Sequence, residues 1–238
     1  MNEPTIPPTA PLLGVRFVFG FALLAVVPSV VWDALRSVGV DLLAASDAER
    51  LEWSMAGFVV GCAAVVGFAA WQRPATPWRP GRALWVWSRY LPFLLLWVPL
   101  LVGYLWLAHR LDVPVPPQGA LDYLATTPLT RPGCWLVVLG IVVGAPLAEE
   151  IVFRGFLQGA LQHLLPRWLA IALTAAVFGL CHTLPYALPV GLLGAFFGWL
   201  FSRCGSLWPS VIAHATHNLV TVVVTIAWPT SLDLLYPK

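Results

Sequence analysis

GCWLVVLGIVVGAPLAEEIVFRGFL, residues 133–157, is an apolar run that closes on charge. From Gly133 to Ala148 no side chain is charged, and then Glu149, Glu150 and Arg154 fall within six residues. A membrane span needs about 20 apolar residues, because roughly 30 Å of hydrocarbon divided by 1.5 Å of helical rise sets the length. The stretch therefore reads as a membrane helix carrying three ions. An ionisable group near the bilayer centre costs at least about 2.5–3.5 kcal/mol on insertion scales, so these three need partners, water or a chemical task.

The rest of the chain agrees with that setting. Its 238 residues are 59% hydrophobic and 10% charged, with a mean hydropathy of +0.82, which is too apolar for a soluble domain of this size. The expected fold class is all-α, a polytopic transmembrane helix bundle of about seven spans, within a range of six to eight. The segments lie near Leu12–Trp32, Leu51–Trp71, Tyr90–Ala108, Gly133–Leu157, Trp168–Leu184, Leu188–Ser202 and Leu207–Trp228. No basic region precedes the first of them, and Pro4, Pro7, Pro8 and Pro11 crowd its start, so it is expected to be a retained span and not a signal peptide. The Pro-, Gly- and Thr-containing tract Val113–Pro132 reads as an exterior loop. It divides residues 1–132, N-terminal spans and loop, from residues 133–238, a candidate catalytic core. The net charge is only +2 and the basic residues are scattered, which excludes a nucleic-acid surface. Cys62, Cys134, Cys181 and Cys204 show no CxxC pairing, so neither a disulfide framework nor a thiolate metal site is expected.

Loop charges orient the chain. Gln72–Arg89 carries Arg73, Arg79, Arg82 and Arg89 and no acid, whereas Asp33–Arg50 carries Asp33, Asp41, Asp47 and Glu49 against Arg36 and Arg50. By the positive-inside rule the arginine loop is cytoplasmic, and alternation puts Arg154, Arg167 and Arg203 on the same side and Asp112, Asp122 and Asp233 outside. Trp78, Trp85, Trp87, Trp168 and Trp208 near predicted span ends suit an interfacial belt.

Three groups of side chains carry the candidate chemistry. Glu150 and Arg154 are i and i+4 on a helix and can pair along one face, while Glu149 is turned about 100° away and is left the freer carboxylate. Phe178 and His182 repeat the four-residue spacing near the end of the fifth segment. His214 and Asn218 repeat it again in the last, so their side chains point the same way; His217, about 60° from His214 on the wheel, is a rival. Each motif alone has a structural explanation: a buried ion pair, an interhelical histidine, an asparagine that glues two helices. His109 and His163 sit by span ends and are assigned to the interface. Gly140-x-x-x-Gly144 and Gly194-x-x-x-Gly198 are read as close helix packing and not as chemistry.

The ordered set Glu149-Glu150-x-x-x-Arg154, Phe178-x-x-x-His182 and His214-x-x-x-Asn218, on three apolar segments, resembles the CAAX prenyl protease and bacteriocin-processing (CPBP, Abi) family of intramembrane proteases. The resemblance covers Gly133 to Trp228, with no departure at a defining position. It implies a helical core around a polar cavity open to the cytoplasm, in which Glu149 and His182 activate a water, His214 and Asn218 hold the oxyanion, and Glu150, Arg154 and Phe178 give structural support. The implied activity is an intramembrane endopeptidase acting on a membrane-associated protein or peptide, whether a lipidated or a C-terminal sorting tail. The lipid bilayer is the other partner, and no nucleic acid is involved. A composition rich in Ala, Leu, Val, Pro and Trp and poor in Lys suits a high-GC bacterial source and an inner or plasma membrane. That argues against a prenylated substrate and leaves the substrate open.

Two histidines and a glutamate are also a hydrolytic zinc set, so Glu149, His182 and His214 are candidate metal ligands. Asn218 beside His214 makes better sense as an oxyanion donor than as a zinc ligand, and no cofactor is assigned. The competing classes are a small transporter or proton-relay protein and a catalytically silent membrane scaffold. The lack of an inverted repeat, and the collection of all polar groups in one half, weigh against a transporter.

Overall fold

The protein is described here from a computed structural model, over residues 10–37, 46–72, 83–116, 118–182 and 184–232. Arg73, Arg79, Arg82, Trp78, Asp41 and Asp233, which share in the topology reading, and Pro4, Pro7 and Pro8 lie outside the described residues.

Among the described residues the protein is an all-α polytopic bundle of eight helices. Six are long and apolar enough to cross a membrane: α1 (Ala10–Ser37), α2 (Asp47–Gln72), α3 (Ala83–Arg110), α5 (Pro132–Gln162), α7 (Leu184–Cys204) and α8 (Trp208–Ala227). The other two are short, α4 (Gly119–Thr126) and α6 (Arg167–Leu180). The chain is therefore an integral, multi-pass membrane protein.

Two expectations of the sequence change here. The tract Val113–Pro132 is not a plain loop: it contains α4, because Leu121, Tyr123 and Leu124 give eight residues an apolar side that packs inward. The fifth segment stops at Leu180, four residues short of its expected end, and a turn at Cys181–His182 leads into α7 at Leu184. Pro185 explains the restart, since proline lacks an N–H and is tolerated in the first turn of a new helix but not inside an old one. With 14 residues, α6 is only about 21 Å long. It forms a tight hairpin with α7, in which a Cβ on Gly179 would lie 2.2 Å from the Ala187 carbonyl oxygen.

Cross-contacts fix the helix directions. α5 and α7 run parallel, because Arg154 bonds Gly194, Gln158 bonds Gly198 and Gln162 bonds Ser202. α8 is antiparallel to α5, pairing His214 with Glu150 and Asn218 with Ile141. α3 runs with α8, through Trp87–Thr216 and Tyr90–His217. The helix ends thus form two faces. Among the described residues Arg16, Arg89, Arg167 and Arg203 lie towards one, with no Asp or Glu; this is the basic face. The other holds Asp47, Glu49, Glu52, Asp112 and Asp122 together with Arg50, Arg110 and Arg131; this is the acidic face. There Glu52 of α2 accepts bonds from Tyr123 of α4 and Arg131 before α5, which ties three elements together. Burial, and then the bond to Glu52, push the Tyr123 phenol well above its ordinary range.

Candidate active site

α5 is continuous but not uniformly α-helical. Two stretches, Gly140–Gly144 and Glu150–Gln158, widen into π turns, and each has a local cause or consequence. In the first, the Ala145 N–H bonds Gly140 O, five residues back. The next donor in that pattern for Ile141 O would come from Pro146, which has no N–H. The Ile141 carbonyl is thereby released from the helix, and Asn218 Nδ2 of α8 donates to it at 2.8 Å. That bond uses one of the two amide hydrogens of Asn218 and fixes the direction of the other.

The second π stretch carries Glu150, Arg154 and Gln158, all fully buried. Arg154 Nη1 lies 3.0 Å from Glu150 Oε1, the ion pair expected from the spacing, and its Nη2 donates to Gly194 O at 2.9 Å. Its guanidinium carbon sits 4.5 Å from the centre of the Phe178 ring, where a desolvated cation gains from the ring's negative face. Gln158 Nε2 donates to Gly198 O and Ser202 Oγ, at 2.9 and 2.8 Å. The two glycines of Gly194-x-x-x-Gly198 thus do more than let helices approach: their bare backbone receives the polar side chains of α5. A Cβ at Gly194 would lie 2.9 Å from the Phe178 ring, and one at Gly198 would lie 2.5 Å from Gln158 Oε1.

The two glutamates occupy different environments. Glu150 is sealed, whereas the Glu149 side chain keeps 17% of its exposure. His214 stands between them, with Nδ1 3.0 Å from Glu150 Oε1 and Nε2 3.9 Å from Glu149 Oε2. A carboxylate can only accept, so Nδ1 of His214 carries the hydrogen. His182 lies in the turn after α6, with Nδ1 2.9 Å from Phe178 O. A carbonyl also only accepts, which puts the hydrogen on Nδ1 and leaves a lone pair on Nε2 of neutral His182.

Glu149, His182, His214 and Asn218 all line one cavity of about 480 Å³, and Phe178 is part of its wall. Its other walls are mostly apolar side chains of α3, α7 and α8. His217, set aside from the sequence as a rival of His214, lines the same cavity; Tyr90 Oη lies 3.1 Å from its Nδ1 and the Trp97 ring meets it edge-on. α3 had carried no part of the sequence motifs. His109 and His163 are exposed and lie away from the cavity. Sequence reasoning also missed Gln158, Gln162 and the freed Ile141 carbonyl. The signals were present, as a polar residue at every fourth position from Glu150 to Gln162 and as Pro146.

The residues were also tested as a zinc set. Nδ1 of His214 is occupied by Glu150 and Nδ1 of His182 by a carbonyl, which leaves one Nε2 on each ring. Among the described residues no three His, Cys, Asp or Glu side chains are gathered as metal donors. Such bonds at Nδ1 are also how metal-ligating histidines are held, and no chemical step is derived through a metal.

Comparison with known proteins agrees with the motifs. Residues 131–220 match the family described as "Type II CAAX prenyl endopeptidase Rce1-like". The chain is 29% identical over 108 residues to "Putative membrane peptidase YdiL" of Bacillus subtilis (strain 168), covering 45% of this chain and 41% of that protein. It is 31% identical over 103 residues to "UPF0177 protein YxdF" of Lactococcus lactis subsp. lactis (strain IL1403), covering 42% and 54%. It is 30% identical over 148 residues to "UPF0177 protein YbdI" of the same strain, covering 54% and 75%. The matches thus span about half the length or less of the first two relatives and three quarters of the third. No solved structure matches. On its motifs and on these relatives, the chain belongs to the Rce1-like family of type II CAAX prenyl endopeptidases.

Proposed function

We propose that this chain is an intramembrane endopeptidase of the bacterial plasma membrane that hydrolyses a peptide bond in a membrane-anchored protein. The observation that supports it is the meeting of Glu149, His182, His214 and Asn218, from three different parts of the chain, on one cavity. Glu149 and Nε2 of His182 are the groups with free basic capacity, and they take a proton from a water as its oxygen attacks the scissile carbonyl carbon. The carbonyl π pair moves onto oxygen, which lies against His214 and accepts the second N–H of Asn218. Collapse of the tetrahedral species breaks the C–N bond, and the proton held by Glu149 passes to the leaving amine. Glu150 holds His214 in orientation through Nδ1, and Arg154 and Phe178 hold Glu150.

The test is Glu149→Gln in the purified full chain, reconstituted in vesicles with a membrane-anchored reporter. General-base catalysis contributes about 10²- to 10⁴-fold, so kcat should fall by that order while the thermal midpoint in detergent is unchanged. Cleavage by the parent should survive exhaustive chelation. Equal cleavage by parent and variant would remove the assignment.

A further inference from the structure

A main-chain carbonyl carried into the apolar part of the cavity leaves its water behind, and without a new donor it is destabilised. Several donors on the wall are already spent. Trp97 Nε1 donates to Pro189 O at 3.2 Å, the Thr221 hydroxyl to His217 O at 3.0 Å, and the Nδ1 hydrogens of His182 and His214 to Phe178 O and Glu150. Asn218 keeps one amide hydrogen, which the reading above gives to the scissile oxygen.

His217 is different. It lies beside Asn218 on α8, lines the same cavity and is 8% exposed. Its Nδ1 is 3.1 Å from Tyr90 Oη, and Nδ1 is the one hydrogen-bond partner of that buried phenol among the described residues. A phenol has a single hydrogen, which would bear the full desolvation penalty if it were buried without an acceptor, so it donates to Nδ1. An Nδ1 that accepts puts the ring hydrogen on Nε2. This is the reverse of His182 and His214, whose Nδ1 atoms face oxygens that can only accept. Nε2 of His217 has no partner among the described residues. The ring is held in angle as well, because Trp97 stands at 89° to it with centroids 4.8 Å apart and is itself tied to α7 through Pro189 O. α3 thus sets the tautomer of a histidine on α8 and leaves it one free donor, Nε2–H.

Resting on the peptidase reading above, we propose that His217 is a substrate-binding residue whose Nε2–H donates to a main-chain carbonyl neighbouring the scissile one, with Tyr90 as the positioning residue that fixes its tautomer. His217 and Asn218 are consecutive and about 100° apart around α8, so their hydrogens reach different carbonyls. Asn218, against α5, meets the one that becomes an oxyanion; His217, against α3, meets one that stays an ordinary amide throughout. That amide has the same charge in the ground and transition states, so the bond is uniform binding, which lowers KM and leaves kcat alone. What it recognises is the backbone of an extended polypeptide, whatever its side chains.

The tautomer can be read directly. In full-length protein carrying nitrogen-15 histidine, in lipid nanodiscs, the ring signals that vanish in His217→Gln should show hydrogen on Nε2 and none on Nδ1, and Tyr90→Phe should move the Nδ1 signal. Hydrogen on Nδ1 alone would overturn the proposal. Kinetics use the membrane-anchored reporter in vesicles. His217→Phe, which keeps a ring against Trp97 but has no donor, should raise KM about 5- to 10-fold, the worth of one neutral hydrogen bond, with kcat within about twofold of the parent. His217→Gln, whose amide nitrogen takes the place of Nε2, should bring KM back towards the parent value. An unchanged KM in His217→Phe, or a fall in kcat that Gln does not restore, would overturn the proposal. Binding is measured apart from cleavage, as reporter Kd on Glu149→Gln, where adding His217→Phe should weaken it by the same factor. That weakening without any cleavage by the parent would remove the peptidase reading and uphold His217 as a backbone donor; cleavage by the parent without the weakening would remove this proposal alone.

Discussion

On the basic-face side of Glu149, α5, α6 and α7 enclose Arg154 between the Phe178 and Phe197 rings and the Gly194 carbonyl. On its acidic-face side the same α5 and α7 separate from α3 and α8 to leave the cavity. The first region uses buried charge to fix one arrangement, and the second leaves space at the end of it. A single helix, α5, serves both, and adjacent residues mark the border: Glu150 belongs to the filled region and Glu149 to the open one.

Breaking the filled region should have the largest effect. Glu150→Ala strands the Arg154 guanidinium and releases His214, and removal of one partner from a buried pair costs about 3–5 kcal/mol. Thermal unfolding in detergent should show a large loss of stability together with loss of activity, in contrast to Glu149→Gln. A smaller effect comes from overfilling the same region. Gly194→Ala pushes a methyl against Phe178 and Arg154, and overpacking of this kind costs about 1–3 kcal/mol. A Val at the same site should be worse in the same assay. The open region should scarcely respond: Val102→Ala, at an exposed position on the cavity wall, is expected to change stability by less than about 0.5 kcal/mol, as for substitutions outside packed features. A large loss there would mean that this wall is packed as tightly as the filled region.

Much of this was legible in the chain. Hydropathy located the long helices, and the four-residue spacings paired Glu150 with Arg154 and put His214 and Asn218 on one side of α8. What spacing could not convey was which partners a neighbouring helix supplies. His214 was matched with Asn218 and turned out to be held by Glu150, because the link crosses 64 positions of sequence. The π turns escaped notice because hydropathy and an assumed α period do not register one extra residue in a turn. Pro146 was visible, but its effect appears only when the donors around Ile141 are counted. The helical wheel made His217 a rival of His214 without showing what it touches, because the wheel of α8 does not contain α3, which brings Tyr90 and Trp97 to it. Six long helices, within the expected six to eight, follow from the length of α6, whose 14 residues end before the turn at Cys181–His182 and are fewer than a full span needs.

The row Glu150, Arg154, Gln158 and Gln162 has a consequence for how the protein is made. Its partners on α7, Gly194, Gly198 and Ser202, are 40 residues further along the chain, and His214 is 64 further. At about 5–20 residues per second, synthesis of 40 residues takes roughly 2–8 s. During those seconds α5 carries the Glu150–Arg154 pair and two glutamines whose bonds to other helices do not yet exist, in a solvent that offers no substitutes. Its release into lipid must therefore wait for the α6–α7 hairpin, so that the three helices leave the insertion machinery as a set. A chain truncated at Leu180 should be degraded soon after synthesis in a pulse-chase experiment, whereas one ending at Cys204, with the α7 carbonyls and Ser202 in place, should persist measurably longer.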